Sequence, residues 1–256
     1  MVHWTLILVF MMLVLAGRST WCFYFKFALY FMAVVVAAVV MLPVLVFRGR
    51  CVNNMRLAKR FANPIKHLLG LQFKVRGAEH LLRPGPYIIV SNHQSSLDFL
   101  GMMEILPERT VPVAKKEVLV FTGAFGLASY LCGTVFIDRR RPGVARGTLE
   151  KTASSLRQDN IRLWIFPEGT RNHGKHLLNF RRGGFHLAVQ AQVPIIPVVY
   201  SSYAKFYNKK DRKFNSGLCC LTVLPPVETR GLGVTDVPEL TTNVQCAMSS
   251  IFMDNQ

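Results

Sequence analysis

The feature that most constrains this chain is a run of Ala, Val, Met, Leu and Phe over residues 27–47. It is close to the roughly 20 apolar residues that a helix needs to cross a hydrocarbon core, so a membrane helix is expected there. A shorter apolar stretch, residues 4–16, precedes it without the Lys or Arg that opens a signal peptide. It reads equally as a short span, a re-entrant arm or a poor signal sequence. Arg48, Arg50, Arg56, Lys59, Arg60 and Lys66 follow the long run, and the positive-inside bias then puts everything downstream on the cytoplasmic side. The expected organisation is a membrane anchor of one or two hydrophobic helices over residues 1–50 and a cytosol-facing domain over 51–256.

A chain of 256 residues has room for one α/β core plus an anchor. The mean hydropathy of +0.28 is high for a soluble protein, and the first fifty residues account for it. The net charge of +17 favours nucleic acid, anionic lipid or phosphorylated small molecules as partners. The apolar N-terminus turns the choice toward lipid, where each Lys or Arg near an anionic surface is worth about 1 kcal/mol. Cys22, Cys51, Cys132, Cys219, Cys220 and Cys246 show neither a C-x-x-C pair nor zinc-ligand spacing, so reduced thiols are expected.

From about residue 71, β-rich runs alternate with helical patterns, which predicts an α/β fold with a mostly parallel central sheet flanked by helices. Strands are expected near 73–75, 87–90, 111–114, 134–137, 162–166, 195–200 and 221–224. Helices are expected near 96–106, 118–131, 143–158, 183–192 and 237–253.

The strand at 87–90 runs into Ser91-Asn92-His93-Gln94-Ser95-Ser96-Leu97-Asp98, so His93 stands at a strand's carboxyl end, where α/β folds place ligands. Residues five apart in a continuous helix point about 140° away from each other. His93 and Asp98 therefore meet only if the chain turns between them, with Ser95 or Ser96 as the cap. A carboxylate that fixes an imidazole's tautomer makes it a general base. Taken alone, Ser95-x-x-Asp98 reads more readily as a capping box, and a cap can also orient the carboxylate.

Phe166-Pro167-Glu168-Gly169-Thr170-Arg171 follows another strand. As a turn it needs no function. Its glycine also lets backbone N–H groups approach an anion, and the Arg171 fork suits bidentate phosphate contact. Glu168 is positioned to order Arg171 or a substrate hydroxyl. Gly133-Thr134-Val135-Phe136-Ile137-Asp138-Arg139 delivers Arg139, Arg140 and Arg141 to a strand end, and Lys115 and Lys116 end another strand. Both clusters read as solvated charge or as further anion contacts. The spacing Gly169-x-x-x-x-Gly174-Lys175 mimics a P-loop, but His176 replaces the Ser or Thr that holds magnesium. His173 and His176 lack a third ligand, so no metal site is expected. No G-x-S-x-G elbow or activated cysteine supports covalent nucleophilic catalysis.

The N-H-x-x-x-x-D segment, G-T-V-F-I-D-R, F-P-E-G-T-R and the buried-strand sequence V-P-I-I-P-V, in that order, resemble the 1-acylglycerol-3-phosphate acyltransferase family. The likeness covers residues 54–227, and the stretch from Asn179 to Ala188 is similar to the animal alpha and beta forms. The resemblance implies a glycerol-3-phosphate acyltransferase-like fold, His93 as base and Asp98 as its partner. It implies that Arg139, Glu168, Gly169, Thr170 and Arg171 bind the glycerophosphate. It further implies acyl-CoA as co-substrate with no cofactor, lysophosphatidic acid and membrane lipids as partners without nucleic acid, and an endoplasmic reticulum location. Relatives in the wider family often carry proline where this chain reads Phe121-Thr122-Gly123. Two rivals stand: acylation of glycerol-3-phosphate or another lysophospholipid, and a basic membrane-tethered protein that only binds anionic lipid or RNA.

Overall fold

The computed structural model describes residues 2–138 and 142–254, with side chains described from Thr20 onward apart from positions 142, 144–146, 149 and 150. The chain opens with helices α1 (Val2–Arg48), α2 (Met55–Ala62) and α3 (Ile65–Leu69). There follow β1 (Leu71–Arg76), β2 (Ile88–Ser91), α4 (Asp98–Ile105), β3 (Thr110–Lys115), α5 (Lys116–Phe121), α6 (Ala124–Leu131) and β4 (Val135–Ile137). The second half contains α7 (Pro142–Gln158), β5 (Arg162–Ile165), α8 (Gly183–Ala191), β6 (Ile195–Tyr200), β7 (Tyr207–Asn208), β8 (Lys213–Phe214), β9 (Gly217–Val223) and α9 (Val237–Asp254).

Seven strands form one sheet in the order β1-β9-β6-β2-β5-β3-β4, and every neighbouring pair is parallel except β6 with β9. The central strands β2 and β6 are buried along their whole length, as expected of strands covered on both faces. Their side chains alternate between two cores with the period of two that the pleat imposes. Ile89, Trp164, Ile196, Val198 and Tyr200 join the helices α1, α2, α3, α4 and α6 on one face. Ile88, Val90, Leu163, Ile195 and Val199 meet α7, α8 and α9 on the other.

The short apolar stretch at 4–16 is not a hairpin arm, because its backbone continues without a break into the long run as one helix. From Thr20 to Arg48 the helix is long and apolar enough to cross a membrane. Phe23, Tyr30, Ala38, Met41 and Leu45 form a stripe buried against the domain. Trp21, Phe25, Met32, Val36, Val40 and Phe47 remain exposed, an apolar surface of the kind that marks a membrane or protein contact. Two further differences from the sequence expectation have local causes. The helix anticipated at 118–131 is split into α5 and α6 by Gly123, whose φ of 54° leaves the helical region. Residues 55–69, read only as a basic stretch, form α2 and α3, and α2 keeps Met55 and Ala62 buried while Arg56 and Arg60 face out.

Asn92, fully buried just beyond β2, clips this strand to β6: its Oδ1 accepts the Tyr200 N–H at 2.8 Å and its Nδ2 donates to the Tyr200 carbonyl at 3.1 Å. Asn92→Ala strands both backbone groups in the core and should cost about 2–4 kcal/mol of stability, read as a lowered midpoint in thermal unfolding of the detergent-solubilised protein.

Candidate active site

His93 leaves the carboxyl end of β2 on a short turn that ends at Asp98, the first residue of α4. The turn brings the two side chains together: His93 Nδ1 lies 2.7 Å from Asp98 Oδ2. That oxygen also accepts the backbone N–H of Gln94 at 2.6 Å and of Ser95 at 3.0 Å. Asp98 is fully buried, whereas the His93 side chain keeps 21% of its surface exposed. Because Nδ1 faces a carboxylate it carries the proton, and Nε2 is left as the acceptor. The imidazole stacks on Phe166 with ring centroids 4.2 Å apart. Of the anticipated capping box only the carboxylate half forms, since Ser95 Oγ accepts the N–H of Leu97 rather than that of Asp98.

The Phe-Pro-Glu-Gly-Thr-Arg turn sits directly beside this pair. Glu168 is 3% exposed; its Oε1 accepts the His93 N–H at 2.8 Å, and its Oε2 accepts Leu178 N–H at 3.0 Å and Asn172 Nδ2 at 3.1 Å. Burial raises the Glu168 carboxyl above the usual carboxylate range, while the three donors and His93 pull the other way. The Asn172 N–H returns to the His93 carbonyl at 2.7 Å, so the two segments hold each other at both backbone groups of His93. Glu168 thus braces the backbone of His93, a contact beyond the expectation that it orders Arg171 or a substrate hydroxyl. Gly169 adopts φ +71°, and an added Cβ would come within 2.6 Å of Arg181 Nε.

One cavity of about 870 Å³ is lined by His93 and Phe166 together with Gly169, Thr170 and Arg171. Thr170 and Arg171 are exposed at its rim. Lys115 also lines it, whereas the exposed Lys116 lies outside its wall. Arg139 falls outside the described residues. The opposite wall is apolar and comes largely from α1, through Phe31, Val34, Val35 and Ala38. Tyr30 of α1 donates its hydroxyl to the Ser96 carbonyl at 2.8 Å, tying α1 to the turn that carries His93. Cys132 lines the same cavity, but burial pushes its thiol up to about 12, which keeps it protonated and a poor nucleophile near neutral pH.

The P-loop resemblance dissolves in the fold, since no helix starts after Gly174; the next one, α8, begins at Gly183. His173 and His176 are exposed loop residues. Several residues that build the site carry no sequence signal as ligands or bases. Gln94 grips Ser201 O and the Tyr203 N–H, Tyr200 donates its hydroxyl to the Asp98 carbonyl at 3.0 Å, and Asn172 closes the His93 clamp. A hint existed only for Asn92 and Gln94, whose amides flank His93 where a bare strand end leaves backbone groups unpaired.

Glu168→Gln tests this arrangement. With its oxygen kept on the His93 N–H, the new amide nitrogen meets two donors, so a penalty of about 1–3 kcal/mol is expected. Thermal unfolding should report that loss, and initial rates should show the accompanying fall in turnover.

A family model described as Acyltransferase matches residues 72–201. Over 232 residues the chain is 50% identical to human 1-acyl-sn-glycerol-3-phosphate acyltransferase alpha, covering 91% of this chain and 82% of that one. It is 46% identical over 233 residues to the human beta form, covering 90% and 84%. The crystal structure of the 1-acyl-sn-glycerophosphate (LPA) acyltransferase PlsC from Thermotoga maritima shares the fold with a TM-score of 0.70 at 22% identity, covering 93% of this chain and 94% of that one. The reading as a mere anionic-lipid or RNA binder therefore falls. By sequence, by fold and by motif order, this chain belongs to the 1-acyl-sn-glycerol-3-phosphate acyltransferase family, and it is an enzyme.

Proposed function

We propose that this enzyme transfers a fatty acyl group from acyl-CoA to the sn-2 hydroxyl of 1-acyl-sn-glycerol 3-phosphate, forming phosphatidic acid by direct transfer. The observation that carries this reading is the shared cavity, in which a basic imidazole and a glycine-arginine turn face the same space beside an apolar wall. A small lipid has those three parts: a hydroxyl, a phosphate and an acyl chain.

In the proposed step, His93 Nε2 takes the proton of the acceptor hydroxyl as its oxygen attacks the thioester carbonyl. Asp98 Oδ2, 2.7 Å from Nδ1, stabilises the imidazolium. The C–S bond then breaks, and the proton passes from Nε2 to the departing coenzyme A sulfur. The thioester is already an activated acyl group, so the reaction asks for no cofactor. General-base help of this kind is worth about 10²–10⁴ in rate. Gly169, Thr170 and Arg171 hold the acceptor phosphate, with Lys115 at the rim and Arg139 as a further anion contact; Lys116 acts at most through its charge. Residues 1–50 serve as the anchor in the endoplasmic reticulum membrane, and the basic stretch from Arg48 to Lys66 keeps residues 51–256 on the cytosolic side.

With labelled acyl-CoA and washed membranes, His93→Ala should lower turnover at least about 10²-fold; retained activity would end the mechanism. Arg171→Lys keeps the charge but loses the planar fork, so the acceptor KM should rise while kcat changes little. A panel of lysolipids and glycerol-3-phosphate decides the acceptor, with lysophosphatidic acid expected to be preferred. Rapid-quench kinetics should show no stoichiometric acylated residue.

A further inference from the structure

Among the described residues, five buried side-chain polar atoms have no hydrogen-bond partner, and two of them are Asp98 Oδ1 and the Tyr203 hydroxyl. A buried, unpartnered carboxylate oxygen on the group that orients the base is costly, because it has given up its water without gaining a donor. The Tyr203 hydroxyl faces that carboxylate but falls short of a hydrogen bond of ordinary geometry. Tyr203 is 3% exposed, and its position is fixed through Gln94: the Tyr203 N–H donates to Gln94 Oε1 at 3.0 Å, while the Gln94 N–H donates to Asp98 Oδ2 at 2.6 Å. Oδ2 is already saturated with donors, so Oδ1 is the atom left to accept the phenol.

We infer that Tyr203 is a positioning residue of the acyl transfer: its hydroxyl donates to Asp98 Oδ1 as charge develops on His93, extending the His93–Asp98 pair into a three-membered relay. This rests on the general-base reading above. Burial first, and the Asp98 charge second, hold the phenol well above its ordinary value, so it remains a donor throughout the working pH range. Tyr203 touches no reacting atom. It acts by spreading the Asp98 charge over both oxygens and fixing the plane of the carboxylate. No such role falls to Tyr200, whose hydroxyl goes to the Asp98 backbone carbonyl instead.

Tyr203→Phe removes the hydroxyl and little volume. With Oδ1 unaided, more of the Asp98 charge concentrates on Oδ2 and holds the protonated imidazole more tightly. The acidic limb of kcat/KM should therefore move to higher pH by about half a unit or more, with acceptor KM unchanged. The other groups that face the pair are Glu168 and His173 beside His93 and Tyr30, Tyr200, Tyr207 and Cys219 around Asp98, with Arg171 acting on Tyr30, Tyr207 and His173 and Lys209 on His173; the substitution leaves them all in place. The experiment measures kcat/KM against pH for the full-length, detergent-purified enzyme and the variant, beside thermal unfolding. A fluorotyrosine at position 203, a stronger donor, should move the limb to lower pH. A limb unmoved in both variants would reduce Tyr203 to packing and overturn the inference. His93→Ala run in parallel separates the two ideas: if it is inactive while the limb stays put, only the relay fails, and if it is active, the general-base reading fails as well.

Discussion

Two buried carboxylates hold one imidazole, and the rest of the site is arranged around that hold. Asp98 grips the ring at Nδ1. Glu168 grips the backbone N–H of the same residue, and Asn172 completes the clamp from the carbonyl side. The N–H, the carbonyl and Nδ1 of His93 are all occupied, which leaves Nε2 as the atom the proposed mechanism uses. Burying two carboxylates this close costs desolvation energy, repaid only where each oxygen finds donors. Glu168 meets that condition with three, and Asp98 meets it on one oxygen.

The same clamp explains why segments about seventy-five residues apart behave as one site. The turns after β2 and after β5 lie side by side because those strands are parallel neighbours, Ile88 with Leu163 and Val90 with Ile165. Adjacent carboxyl ends of parallel strands form the crevice in which α/β folds bind ligands. Here α1 covers the crevice, so a cationic rim at Arg171 and Lys115 and an apolar wall meet beside His93.

The sheet was legible because β2, β5 and β6 are short apolar runs bounded by turn residues, and their neighbours alternate with amphipathic helices. The His93–Asp98 pair was legible because a strand end, a turn and a carboxylate at the right interval coincide. The role of Glu168 was not, since a carboxylate next to Gly169 and Arg171 looks like part of an anion site until the path of the backbone shows which donors surround it. Tyr30, Tyr200 and Tyr203 were invisible for a different reason. The hydroxyls of Tyr30 and Tyr200 act across 66 and 102 residues of chain, the Tyr203 backbone is held by Gln94 from 109 residues away, and no local pattern encodes such distances. The α5–α6 break was readable in principle from Gly123, yet the surrounding apolar residues spoke for a continuous helix.

The bond from the Tyr30 hydroxyl to the Ser96 carbonyl joins α1 directly to the turn that carries His93. A spanning helix adjusts its tilt to the thickness of the bilayer around it. A displacement of this helix would carry the Tyr30 phenol, and with it the turn that bears His93, so the placement of α1 and the geometry of the site are coupled.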